Sequence, residues 1–183
     1  MKIVRLLSTE HFALCADTAR VNRGEVYFFS SSSGYALMPC LLLQMAANSR
    51  TLTPAKLLDS VDAFGFALHV ENSTTALDDR KFLQTYSADR SIIVSERIPF
   101  SSARWQGIQT IAITTSNHVV EKLLPPSLSS FQQALEHLTT IITLNMGDWL
   151  LYPLLHQSLP LTFPERVYLE VDNTRLLDEQ LCS

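Results

Sequence analysis

The 183-residue chain has no marked excess of charge of either sign, no long apolar run and few cysteines. Each shortage excludes something. Its 14 Lys and Arg are scattered and its net charge is -4, which argues against nucleic acid or an anionic membrane surface as a partner. No apolar stretch approaches the ~20 residues of a membrane-spanning helix. Residues 1–5 offer neither a long apolar core nor a small-residue cleavage site, so no secretory leader is expected there. Cys15, Cys40 and Cys182 are odd in number and far apart, so a reduced, cytoplasmic setting is expected. G-x-S-x-G, P-loop and G-x-G-x-x-G patterns are absent, and no Cys or His pair has metal-site spacing.

What is present reads as one globular domain, 1–183, with residues 1–36 either part of it or a short N-terminal arm; 46% of residues are hydrophobic and 17% charged. The chain is organised around residues 127–152. There Leu128, Phe131, Leu135, Leu138 and Ile142 recur at helical steps. Ser129 with Gln132 has the form of a capping box. Asn145, Met146, Gly147 and Asp148 form a corner in which Asn145 or Gly147 can take positive φ, and Trp149 to Tyr152 read as a buried strand.

Elsewhere, residues 3–7, 25–29, 37–46, 91–98, 108–115 and 166–171 carry strand patterns, with Val119 and Val120 able to pair back. Thr53 and Pro54 mark a helix start. Residues 30–34 and 72–90 read as loops, and 153–164 as a proline-bounded loop. Residues 61–71 are the most informative strand. Phe64, Phe66, Leu68 and Val70 share one face, while Ala63, Gly65, Ala67, His69 and Glu71 share the other. The second face is either a solvent-facing strand end or the floor of a pocket holding a His and a carboxylate.

In order and spacing, three segments resemble the fumarylacetoacetate hydrolase family, also described as 2-keto-4-pentenoate-hydratase-like. They are residues 41–65, residues 65–75, and the run from 91 to 178 that contains the sequence LNMGDWLLYP. The resemblance implies an α+β, β-rich fold: a mixed β-sandwich roll with one long helix in the C-terminal half and short helices elsewhere. It also implies a Mg²⁺ or Mn²⁺ held by an E-x-E pair and an aspartate, on which an oxo acid or β-diketone chelates. Aligned without gaps, the glutamate positions fall on Met38 and Cys40 and the aspartate on Glu71. The family's following arginine falls on Thr75 and its substrate-contacting threonine on Pro153, and its His–Glu lid has no counterpart. Thioether and thiol do not replace carboxylates for a hard ion.

The expected function is therefore a fumarylacetoacetate-hydrolase-like protein without the divalent metal and without cofactor. It would act as a non-hydrolytic pseudoenzyme or a partner- or ligand-binding protein. The resemblance implies a homodimer or a hetero-oligomer with an enzyme of the same pathway, and a small carboxylate or ketone ligand. The alternative is a metal-independent enzyme of lyase, tautomerase, decarboxylase or cyclase type acting on an oxo acid or enolisable carbonyl compound. In it His69 and Glu71 supply acid–base chemistry, Arg80 or Lys81 holds a substrate carboxylate, and Met38, Cys40 and Ala67 line the pocket. A hot-dog-like acyl-thioester fold ranks third, because the longest helical pattern is late in the chain. Cys40, in an apolar run, reads as a buried inert thiol.

Overall fold

Two long neighbouring strands set the architecture: β5, Tyr35–Met45, and β6, Val61–Asn72, paired antiparallel along their whole length. The structure, a computed structural model, describes residues 1–7, 11–15, 17–21, 26–27, 34–48, 56, 58–72, 91–116 and 119–182. In chain order the remaining early strands are β1 (Ile3–Leu6), β2 (Phe12–Cys15), β3 (Arg20–Val21) and β4 (Val26–Tyr27). After β6 come β7 (Ile92–Val94), β8 (Ile98–Pro99), helix α1 (Ser102–Gly107), β9 (Ile111–Thr115) and β10 (Val119–Leu123). Helix α2 (Leu128–Ile141) leads to β11 (Trp149–Pro153), β12 (Leu159–Leu161), β13 (Glu165–Val171) and β14 (Thr174–Cys182).

Among the described residues nine strands form one sheet, with path β2-β1-β11-β5-β6-β7-β3 and with β12 and β8 attached to β5 and β6; five form the other, β10-β9-β13-β14-β4. This is the expected β-rich α+β roll with one long helix. The first sheet must curl. β2 and β3 lie at opposite ends of its path, yet only residues 16–19 join them. Laid flat, the path would be roughly 29 Å wide at ~4.8 Å per strand spacing, whereas that link reaches at most about 18 Å. In keeping with this, Ile3 and Trp149 from one half of the sheet cluster with Ala19 and Ile92 from the other.

The two faces of β6 separate as the alternation predicts. Phe64, Phe66, Leu68 and Val70 join the main core with Phe131, Leu135 and Leu138 of α2 and with Ile113, Val167 and Leu169 of the second sheet. Phe64, Trp105 and Phe131 meet edge to face there, at 5.5 and 5.8 Å between ring centroids. The small-residue face turns into the hollow of the curl.

Several local expectations change. The α2 cap is Ser127, whose Oγ accepts from Ser130 N at 3.1 Å, not Ser129. In the corner before β11 only Gly147 takes positive φ, at 84°. The expected strand 91–98 breaks after Val94, where Ser95 Oγ accepts the Phe66 N–H at 2.9 Å. The loop 153–164 contains β12, paired with β5. β2, α1 and β14 had no clear sequence signal singled out. β14 closes a hairpin with β13 through Asp172 and Asn173, both at positive φ, the conformation such two-residue turns require. The helix start at Thr53 and Pro54 and residues 73–90, with Thr75, Arg80 and Lys81, lie outside the described residues.

The Gly147–Asp148 corner is a structural clasp. Asp148 Oδ1 accepts from Lys2 N at 2.6 Å, and Oδ2 from Asn145 N at 2.8 Å and Lys2 Nζ at 3.2 Å. Burial alone would raise this carboxyl's pKa; the hydrogen bonds from Asn145 and Lys2 outweigh it and hold it below the ordinary 3.8. Trp149 N donates to Lys2 O and Met45 N to Asp148 O, so the corner fastens β1 and β5 to β11.

Candidate functional site

The hollow of the curled sheet carries the unusual chemistry. Register alone places its side chains. Met38 lies opposite His69, Cys40 opposite Ala67, and Ala36 opposite Glu71, so Met38, Cys40, Ala67, His69 and Glu71 share the concave face. His69 and Ala67 are fully buried, and Glu71 is 8% exposed. Met38 and Glu71 both line a cleft of about 590 Å³ whose wall also includes Tyr152, Leu155 and Ser158. Cys40 lies deeper, with no exposure, and its Sγ is 3.5 Å from Met38 O.

The register also refines the gap-free alignment. The residue facing Met38 is His69. Glu71 stands one same-face step further along β6, roughly 7 Å away at ~3.4 Å per residue. The group directly across the ladder from position 38 is therefore an imidazole, with the Glu71 carboxylate one step beyond it.

A fourth group, Arg5, was not singled out in the sequence. It comes from β1, three strands away from β6 in the sheet path. That is roughly 14 Å on a flat sheet, too far for a side chain at a different level, so it is the curl that delivers the guanidinium. Arg5 forms an ion pair with Glu71 Oε1, and its Nη1 lies 2.7 Å from His69 Nδ1. Ser158 Oγ donates to Glu71 Oε2 at 3.1 Å. A signal for Arg5 did exist: it is a charge inside a four-residue strand that is buried throughout, and a buried charge demands a partner.

This arrangement fixes protonation states. A guanidinium only donates, so His69 Nδ1 is the acceptor and the ring proton is assigned to Nε2. Burial first, and then the Arg5 charge, push the His69 pKa well below its ordinary 6.5, so the ring is neutral at pH 7. Burial raises Cys40 to about 11 and Cys15 to about 12, with Arg5 opposing the rise in both, so both thiols stay protonated and unreactive.

Such a donor set does not fit Mg²⁺ or Mn²⁺. The positions offer a thioether, a protonated thiol and an imidazole nitrogen already accepting from Arg5, and among the described residues the one carboxylate nearby is engaged by a guanidinium. Hard cations require several oxygen ligands. Among the described residues no three His, Cys, Asp or Glu side chains form a metal cluster.

No family model and no curated protein sequence matches the chain. Solved structures do. Fumarylpyruvate hydrolase from Pseudomonas aeruginosa, in complex with Mn²⁺ and pyruvate, superposes with a TM-score of 0.81 at 14% identity, covering 100% of this chain and 89% of that one. For 2-hydroxyhepta-2,4-diene-1,7-dioate isomerase from Mycobacterium marinum the TM-score is 0.80 at 13% identity, over 99% and 74% of the two chains. Maleylpyruvate hydrolase from Sphingobium gives 0.78 at 13%, over 99% and 70%. The chain therefore has the fumarylacetoacetate-hydrolase-like fold, whose structural neighbours include hydrolases and isomerases. No helix among the described residues is long and apolar enough to cross a membrane.

Proposed function

We infer that this protein uses the fumarylacetoacetate-hydrolase-like fold without its divalent cation, as a non-hydrolytic pseudoenzyme that binds a small carboxylate or ketone, or a partner protein. The observation that carries this reading is Arg5. Its guanidinium meets Glu71 and His69 beside Met38, in the region where the resemblance expects the ion. A fixed positive charge there neutralises the carboxylate and repels a dication. The Pseudomonas neighbour, by contrast, was crystallised with Mn²⁺ and pyruvate. A cleft of about 590 Å³ still opens onto Glu71 and has room for a small organic molecule. The reading includes a cytoplasmic setting and assembly as a homodimer or with an enzyme of the same pathway.

Metal analysis after dialysis against Mn²⁺ tests it. The expected result is substoichiometric metal and no thermal stabilisation by Mn²⁺ or Mg²⁺. One Mn²⁺ per chain, lost in Glu71→Gln, overturns it.

A second reading is favoured by the access of Glu71 to the cleft. It is a metal-free enzyme acting on an enolisable oxo acid, with Glu71 exchanging the proton, His69 positioned by Arg5, and Arg80 or Lys81 holding the substrate carboxylate. It expects oxo-acid turnover that Glu71→Gln abolishes; turnover that survives both Glu71→Gln and His69→Ala removes this assignment.

A further inference from the structure

A second cavity opens at the other end of the same concave face and is independent of the Glu71 cleft. It encloses about 650 Å³ and is lined by Arg20, Arg97, Gln44, Asp62, Ala63 and Glu96, among others. The register shows the separation: Gln44 pairs with Ala63, eight residues before Glu71 on β6.

Two guanidiniums line this cavity, and neither has a carboxylate partner among the described residues. Arg20, on β3, stacks over the Trp149 ring with its Cζ 4.6 Å from the centroid. Among the described residues its side chain donates no hydrogen bond and forms no ion pair, and its Nε is buried without an acceptor. Arg97 is aimed by one bond, Nη1 to Gln44 Oε1 at 2.6 Å, and likewise has no carboxylate partner among the described residues. Asp62 and Glu96 line the same cavity and are exposed, as Arg97 is, and neither forms an ion pair with either guanidinium. Burial, and then the like charge of Arg97, lower the Arg20 pKa, which marks the two cations as mutually felt.

The backbone holds this geometry. A Cβ on Gly65 would meet Ser95 Oγ at 3.0 Å and Glu96 O at 3.1 Å, so residues 95–97 lie tight against β6 and carry Arg97 to its place. Aromatic stacking orients the planar guanidinium of Arg20 and, although Nε is buried, leaves its Nη donors for a ligand, the arrangement by which arginine receives planar or tetrahedral oxyanions.

We propose that this cleft binds a small oxyanion, a carboxylate or phosphate group gripped between the N–H donors of Arg20 and Arg97. Calorimetric titration of the full chain with inorganic phosphate, and separately with malonate, tests this at constant ionic strength set with sodium chloride. Saturable binding of either anion is expected, and the stronger of the two identifies the oxyanion class. Tryptophan fluorescence should respond in step, because Trp149 lies under Arg20; Trp105→Phe, which removes the other tryptophan, should keep the response. Arg20→Gln and Arg97→Gln are each expected to weaken binding about tenfold or more. Arg20→Lys, which keeps the charge but loses the fork, should fall between. Ser158→Ala, in the Glu71 cleft, should leave the affinity unchanged. Absence of saturable binding by both anions overturns the proposal, as does wild-type affinity in folded Arg20→Gln or Arg97→Gln.

Discussion

Two arginines enter the same hollow from opposite halves of one curled sheet and meet opposite circumstances. Arg5 is committed: Glu71 balances its charge and His69 accepts its N–H. Arg20 lies on an aromatic ring beside another cation, with no acceptor among the described residues. The first pattern is that of a structural charge, whose removal strands its partners. The second is that of a charge not used in any ion pair among the described residues, whose removal should leave the fold almost intact. One sheet thus carries a charge-balanced arginine at one end and, at the other, a stacked arginine with no carboxylate partner among the described residues.

The sharpest break of this contrast is Arg5→Met. It leaves a carboxylate buried with no counter-charge and is expected to cost about 3–5 kcal/mol, roughly 10 °C or more in Tm for a chain of this size. Differential scanning calorimetry reads it directly. The double variant Arg5→Met with Glu71→Leu should recover a large part of the loss, since apolar replacement of a buried ion pair is often neutral. A double variant as unstable as Arg5→Met alone would show that Arg5 acts through something other than this pair.

Gly65→Ala addresses the wall between the two ends. Its new methyl must displace Ser95 or the 96 carbonyl, at an expected cost of about 1–3 kcal/mol. It should also move Arg97 and weaken anion binding while leaving the Glu71 cleft unaffected. Loss of stability with unchanged anion affinity would separate residues 95–97 from the site.

Acid titration separates the clefts from the clasp. His69 has a depressed pKa in the folded protein, so the unfolded chain binds the extra proton first. Its contribution is full above the ordinary 6.5 and is lost as pH falls below it, at about 1.4 kcal/mol per pH unit at most. Asp148 follows the same sign but a lower window: its contribution is present above 3.8 and lost as pH falls through the depressed folded value. Stability measured from pH 8 to 5 should therefore flatten in His69→Gln and keep its slope in Asp148→Asn.

The sequence made the shape more legible than the chemistry, for a physical reason. Alternation along residues 61–71 and helical spacing in 127–142 are local signals, so the strand, the helix and the small-residue face were readable, while the choice between a solvent-facing strand end and a pocket floor was not. β14 was readable in principle from Asp172-Asn173 between alternating residues. Breaks such as Ser95 taking over from the ladder depend on a residue of another strand. The site depends on the curl: Arg5 and His69 are 64 positions apart, and nothing local in either announces the other. The same holds for Arg20 and Trp149. Counting along the chain also says nothing of which residue lies across the ladder: strand register places His69, not Glu71, opposite Met38.

The smallest expected stability effect is also the most telling. Arg20→Gln removes a stacked cation worth about 0.5–1 kcal/mol, but it also relieves the repulsion with Arg97 and the burial of a donor that has no acceptor. These contributions oppose one another, so the net change should stay below about 1 kcal/mol, well under the loss in Arg5→Met. Added salt sharpens the test: screening weakens the Arg20–Arg97 repulsion, so the wild type should gain stability relative to Arg20→Gln as sodium chloride rises. If Arg20→Gln instead destabilises as strongly as Arg5→Met at every salt concentration, Arg20 is a structural charge like Arg5, and the contrast between the two ends of the sheet collapses.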